Sequence, residues 1–416
     1  MGNHFIVSAN GWKEIKKNGL LKTMILFSLI FVLGAVQEQE AHAENSDPNI
    51  FVHGLTGFGH GELGSNLYYW GGTTQNIIGT LSNDGYTSME AVVSPFGSNW
   101  DRAIELYYYI KGGTVDYGAA HVKEHGHERY GRTFPGIYPQ WDGENKIHLI
   151  GHSQGGQTSR LLDTLLREGS AEEREHARAN NIELPELFSG NKTWIRSITA
   201  IATPHNGTQV ASLAKGLLHE VIYGSAFIAN SSAINLSYDF KLDQWGLKQF
   251  PGEANKNYLK RVFSSKVWNA NEDIVLYDLT TEGATKLNEQ TSLSSDVYYF
   301  SYSGNATYKG AFSSNYYPSV TVFPLYSIPA AYIGATGGKE WRQNDGLVPV
   351  ISALYPFGQP YKAADGNPTA GMWYVEPTIQ GWEHMDFVGQ DYTQAPFLKK
   401  SVKQFYQNIV VRNRSL

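Results

Sequence analysis

The chain has 416 residues and no cysteine, which excludes disulfide staples, thiol nucleophiles, iron–sulfur clusters and Cys-ligated zinc fingers. Any metal ion must therefore be held by nitrogen and oxygen. A basic surplus is missing too. The formal charge is −6 and the isoelectric point is near 6.1, so the electrostatic footprint of a DNA or RNA binder is absent and nucleic acid is not an expected partner. With 41% hydrophobic and 17% charged residues, the chain is too apolar for a disordered polymer and too evenly mixed for a multi-span membrane protein. It should fold around a substantial core. Beyond residue 43 there is no repeat, low-complexity tract or long linker, so 44–416 reads most simply as one domain, although its length also allows two. Glycine, by contrast, is plentiful, with 43 residues.

The N-terminus has its own pattern. Lys13, Lys16, Lys17 and Lys22 precede an apolar run from Met24 to Val36, and Ala41-His42-Ala43 supplies a small-x-small cleavage pattern. Residues 1–43 are therefore expected to be a signal peptide, and the product to be secreted and extracellular. The apolar run is about 13 residues long, short of the roughly 20 that cross a bilayer, so no stable membrane span is expected. An exported protein without cysteine relies on its core and on metals rather than on disulfides. No obligate protein partner is evident.

Short β-branched runs read as buried strands: Ile50 to Val52, Met89 to Val93, Ile147 to Ile150, Ile195 to Ile201 and Val297 to Tyr302. Helix-like stretches such as Trp100 to Ile110 and Thr158 to Arg167 lie between them, which predicts a largely parallel sheet covered by helices, an α/β fold. In such sheets ligands sit at the carboxyl ends of the strands. The residues just after each strand therefore carry the most functional information.

After the strand ending at Ile150 comes Gly151-His152-Ser153-Gln154-Gly155-Gly156, with a helix beginning near Gln157. This is G-x-S-x-G in a strand–turn–helix setting, the pattern of a nucleophile elbow. The rival reading is an ordinary glycine-rich turn. Serine at its normal pKa is a poor nucleophile and needs a histidine base oriented by a carboxylate, in the chain order Ser, acid, His. Four histidines follow Ser153: His176, His205, His219 and His384. His176 sits in the charged run Glu172-Glu173-Arg174-Glu175, most simply a solvated face. His205 follows a strand directly and suits a structural role or a place near the site, and His219 lies in an apolar stretch. His384 alone leaves room for an acid in a turn well before it. Asp345, in Asn344-Asp345-Gly346, is the best such acid, although its pattern fits a plain turn-forming Asp equally well. The oxyanion of a tetrahedral intermediate needs two backbone N–H donors, and Gln154 together with Leu55 of Val52-His53-Gly54-Leu55-Thr56-Gly57 fits those places. Alone, His53-Gly54 would read as a tight turn beside a core histidine.

Several segments resemble the secreted lipases of Staphylococcus and the thermoalkalophilic Geobacillus group: Val52 to Gly59, Asn99 to Ala103, Gly112 to Gly118, Gly151 to Thr158, Tyr238 to Gly246, Asn344 to Gly346 and His384 to Asp391. The resemblance spans nearly everything from residue 49 onward. It implies an α/β-hydrolase fold with a mostly parallel central sheet flanked by helices, a small zinc-bearing insertion around 99–131 and 238–278, and a helical lid around 208–230. It implies Ser153, Asp345 and His384 as a catalytic triad and Leu55 and Gln154 as oxyanion donors. The activity it implies is that of a secreted triacylglycerol lipase acting on ester or lipid substrates at an oil–water interface. A carboxylesterase or polyester hydrolase with the same triad is the alternative.

Three histidines within His121-Val122-Lys123-Glu124-His125-Gly126-His127 invite a metal reading, although exposed His clusters are often only solvated. The resemblance implies structural zinc held by Asp101, His121, His127 and Asp273, with Glu272 as a possible substitute for Asp273 and His125 outside the set. A closed nitrogen–oxygen shell braces a fold and does not activate water. It also implies calcium behind the catalytic histidine, held by Asp386 and Asp391 with carbonyls of Thr321 and Tyr392. The stretch from Thr208 to Ala229 carries Val210, Leu213, Leu217, Leu218, Val221 and Ile222 at helical spacing. A core helix explains that stripe as well as a lid does.

Overall fold

The central sheet forms where the sequence carries short, largely apolar runs. The computed structural model describes residues 44–213, 238–270, 272–390 and 401–416. The elements that position the site are, in chain order, β1 (Asn49–Val52), β2 (Ser88–Ala91), α1 (Asn99–Lys111), β3 (Ile147–His152), α2 (Gln154–Glu168), β4 (Ile195–Ile201), β5 (Tyr298–Tyr302), α3 (Pro324–Ala335), β6 (Tyr361–Ala363) and β7 (Trp373–Val375). The seven strands lie in the order β6-β7-β5-β4-β3-β1-β2, every pairing parallel. Parallel neighbours need crossovers, and the helices that supply them cover both faces.

Alternation along the strands divides the interior into two cores. Phe51, Ile150 and Ile201 face one hydrophobic cluster, which also takes Tyr406, Ile409 and Val410 of the helix Val402–Arg414. Ile50, Val52, Leu149 and Ala200 face the other, filled by Ile104 of α1 and by Leu161, Leu162 and Leu165 of α2. Register sets the site. Val52 pairs with Gly151 and Gly151 with Ala200, so β1, β3 and β4 finish side by side and the residues that follow them meet.

The expected strands occur with small changes at their ends, and α2 begins at Gln154, three residues before the predicted start. An antiparallel pair, Gly113–Asp116 with Tyr130–Phe134, follows α1, and the helix Ala119–His125 lies between its strands. Arg132 from this insertion pairs with Asp239 and Asp243, each at 2.8 Å, tying it to the second stretch expected to build the same subdomain. The expected signal peptide, all of the expected 208–230 lid beyond residue 213, and Asp391 and Tyr392 lie outside the described residues. Among the described residues no helix is long and apolar enough to cross a membrane.

Candidate active site and metal centre

Ser153 stands between β3 and α2 with φ 54° and ψ −128°, a strained conformation for a residue with a side chain. Close approach of the surrounding backbone holds it there. A Cβ on Gly155 would lie 2.1 Å from the Val52 carbonyl oxygen, and one on Gly54 would lie 2.6 Å from the Ser153 Cβ. Only glycine lets the helix, the strand ends and the loop after β1 meet at this distance. Gln154 opens α2, so its N–H is among those with no carbonyl to bond within the helix.

His384 and Asp345 come together from loops 39 residues apart. His384 Nδ1 donates to Asp345 Oδ2 at 2.8 Å, and the His384 backbone N–H donates to the Asp345 carbonyl, also at 2.8 Å. The other carboxylate oxygen, Oδ1, accepts from the N–H groups of Leu347 at 3.0 Å and Val348 at 2.7 Å. Asp345 is thus a turn-former through one oxygen and a histidine partner through the other, so the two readings of its pattern coincide. Ser153, His384 and Leu55 line one pocket with Tyr326, Leu347 and Val348, walls that are largely apolar.

Two residues that sequence reasoning did not single out organise this pocket. Tyr69 Oη accepts from the Gly54 N–H at 3.0 Å and lies 2.7 Å from His152 Nδ1, while His152 Nε2 lies 3.0 Å from the His384 carbonyl. A carbonyl only accepts, so Nε2 carries the proton and Nδ1 accepts from Tyr69. One chain of hydrogen bonds therefore joins the oxyanion loop, the elbow and the His384 loop. Burial, with the charge of His384 nearby, holds His152 well below the ordinary histidine pKa, as this neutral role requires. Arg102, fully buried, donates to the carbonyls of Ser94 and His53 and to Thr158 Oγ1, fixing the loop after β1 against α2. Tyr69 sits in no motif. The signal for Arg102 was a run of charge, Asp101, Arg102 and Glu105, on the buried face of a helix.

The second cluster lies at the start of α1. Ligand atoms of Asp101, His121, His127 and Asp273 all fall within 4.8 Å of one another. His121 Nε2 is 3.5 Å from Asp101 Oδ1 and 3.2 Å from Asp273 Oδ2, and His127 Nε2 is 3.8 Å and 3.2 Å from the same two oxygens. Four ligands about 2.0 Å from a tetrahedral centre stand about 3.3 Å apart, so the spacing suits one small cation. Asp101 Oδ1 and His127 Nε2 are buried with no hydrogen-bond partner, as groups reserved for an ion would be. The outer contacts aim the ligands: Gln244 donates to Asp101 Oδ2 at 2.7 Å, the His127 Nδ1–H donates to the Glu128 carbonyl at 2.9 Å, and Trp100 stacks on His121. These residues form a buried group able to hold a metal ion. The structure also separates the two candidates for the fourth position, since Glu272 turns outward to Lys286 at 3.4 Å while Asp273 joins the cluster. The His125 ring packs beside His121 but adds no ligand atom to the group.

Of the four residues expected to hold calcium, Thr321 and Asp386 are described. Asp386 is buried two residues after His384 and accepts from the Glu383 N–H at 2.6 Å. Thr321 is half-buried, with its hydroxyl 2.7 Å from that of Ser319.

A parallel sheet whose central strand feeds a strained serine into the N-terminus of a helix defines an α/β hydrolase. A family profile described as "Lipase-like, C-terminal domain" matches residues 45–413, and the chain belongs to that family. It is 45% identical over 377 residues to Lipase 1 of Staphylococcus aureus, covering 89% of this chain and 55% of that protein. It is 44% identical over 372 residues to a lipase of Staphylococcus epidermidis, covering 88% of this chain and 53% of that protein. The chain thus spans about half the length of the curated relatives it matches. Among solved structures it is similar to EstA from Clostridium botulinum, with TM-score 0.85, 39% identity and coverage of 92% of this chain and 90% of that one. It is also similar to Staphylococcus hyicus lipase, with TM-score 0.79, 39% identity and coverage of 91% and 98%.

Proposed function

We propose that this chain is a secreted serine ester hydrolase, a triacylglycerol lipase that cleaves carboxylic esters of water-insoluble lipids through an acyl-enzyme. The observation that carries the reading is the strained Ser153 in one pocket with His384, whose other ring nitrogen is held by Asp345. Ser153 Oγ attacks the ester carbonyl while His384 Nε2 takes its proton, and Asp345 orients the ring and stabilises the imidazolium. The N–H groups of Leu55 and Gln154 receive the oxyanion. Collapse of the intermediate expels the alcohol, which leaves with the proton from His384. Water then repeats the sequence on the acyl-serine and releases the fatty acid. The apolar wall of Tyr326, Leu347 and Val348 suits an acyl chain.

The four residues Asp101, His121, His127 and Asp273 would hold zinc, whose chemistry here is to cross-link α1, the insertion and the segment after 270. Asp386, with Thr321, Asp391 and Tyr392, would hold calcium behind His384. The test of the substrate class is hydrolysis of p-nitrophenyl esters of increasing chain length and of emulsified triacylglycerol. Turnover that extends to long chains and emulsions supports a lipase. Activity confined to short soluble esters overturns that class in favour of a carboxylesterase.

A further inference from the structure

From Gly310 to Gly338 the sequence runs 29 residues without a charge, where the overall 17% would place about five. This stretch forms the tip and second strand of the hairpin Thr307–Lys309/Tyr316–Pro318, a short connection, and α3. Hairpin and helix are one body: a Cβ on Gly334 of α3 would lie 1.9 Å from the Tyr316 carbonyl oxygen, so the two backbones touch. Of the eleven exposed large hydrophobic residues among the described residues, Phe312, Tyr317, Val320 and Ile328 fall in this stretch, and a fifth, Tyr308, lies on the first strand of the same hairpin. Phe312 and Val320 are fully exposed and Ile328 is 68% exposed.

The helix explains what kind of surface this is. The inner face of α3, Tyr326, Ala330 and Ile333, is buried, and Tyr326 is itself a wall of the catalytic pocket. The outer face at the same spacing, Leu325, Ile328, Tyr332 and Ala335, is also apolar, with Ile328 and Ala335 exposed. A solvent-facing helix normally carries charge on its outer side, and one that is apolar all round belongs in a core or in lipid. The one charged residue within the hairpin and helix is Lys309, and the next charges, Lys339, Glu340 and Arg342, follow the helix. Tyrosine and phenylalanine at the hairpin suit the boundary between water and acyl chains.

We infer that the 308–335 hairpin–helix face is the surface by which the protein lies on a neutral glyceride droplet, with the pocket wall at Tyr326 continuous with it. The inference rests on the lipase reading and names the face that meets the lipid. A face whose one charge is Lys309 suits an uncharged lipid, so binding should depend little on ionic strength.

The test measures partition of Ser153→Ala protein, which leaves the lipid intact, onto surfactant-free triolein droplets. Phe312→Asp with Ile328→Asp in that background should weaken partition at least about tenfold, while Val411→Asp, an exposed position on the C-terminal helix, should not. In the Ser153 background the double variant should turn over a short soluble ester at the unaltered rate, with an unaltered far-ultraviolet circular dichroism spectrum. Unchanged partition of the double variant overturns the inference, as does an equal loss in Val411→Asp. Conversion of a dimer to a monomer without a change in droplet binding would instead make this face a contact between copies and also overturn it. If wild type hydrolyses no ester yet the double variant loses its droplets, the lipase reading fails and the docking face stands.

Discussion

The two buried clusters of ionisable side chains, around Ser153 and around Asp101, are built on opposite principles. Around Ser153, donors and acceptors are paired: Asp345 accepts from His384, Leu347 and Val348, and His152 is used at both ring nitrogens. Around Asp101, two carboxylates and two imidazoles point at a common centre, and two of the four leave a buried atom without a hydrogen bond. Burial lowers the pKa of His121, yet the carboxylates of Asp101 and Asp273 beside it outweigh burial and raise it to about 9. That cluster attracts positive charge. Around Ser153, burial keeps His152 neutral and its hydrogen-bond partners are already in place. A satisfied cluster can do chemistry because its geometry needs no ion, whereas a converging cluster becomes rigid only when a cation fills it.

The comparison breaks most sharply at Asp345. Asp345→Asn keeps the turn but offers His384 the wrong partner, and kcat on a soluble ester should fall by about 10⁴-fold with the metal content unchanged. The metal cluster should respond in the reverse sense. His121→Ala should lose about one equivalent of zinc after mild dialysis and about 4 kcal/mol of stability at saturating metal, read as a lower unfolding midpoint. At a temperature where it stays folded, kcat should be retained within a few-fold. Equal metal content in wild type and variant would refute that ligand.

Acid tests the neutral histidines. Burial, with nearby positive groups, holds His53, His152 and His205 well below the ordinary value and His148 at about 3. Below about pH 6.5 the unfolded chain binds protons that the folded one refuses, so stability rises with pH and is lost as pH falls. Each such histidine should cost at most about 1.4 kcal/mol per pH unit between the two pKa values, and urea midpoints between pH 7 and 4 measure the slope. A flat profile would contradict the neutral network. The smallest effect is expected at Tyr69. Tyr69→Phe leaves the Gly54 N–H and His152 Nδ1 without partners and should cost about 1–3 kcal/mol of stability, with a lower kcat and a nearly unchanged KM.

The elbow was legible in the sequence because its chemistry is local: the glycines, the serine and the first helical turn are consecutive, and the strain that exposes Ser153 is written in those few residues. His384 followed by elimination among four histidines, and Asp345 by its turn. The five long strands showed as β-branched runs, but β6 and β7 are three residues each, too short for a periodic signal. Tyr69 and Arg102 escaped because their partners lie far off in the chain. Tyr69 is 83 residues from His152, and Arg102 reaches back 49 residues to His53. From its own residues the metal group showed only as a histidine-rich segment, since Asp273 arrives from 152 residues beyond His121, and the set of four came from the family resemblance. Glu272 and Asp273 are adjacent, and only the fold decides which of them turns inward.

On the proposed function the cluster around Ser153 does the chemistry and the cluster around Asp101 holds the scaffold. The most direct measurement is ester hydrolysis by Ser153→Ala at metal content and unfolding midpoint matched to wild type. Loss of kcat/KM by at least about 10³-fold is the expected result. Hydrolysis retained within tenfold, in a folded and metal-replete protein, would contradict it.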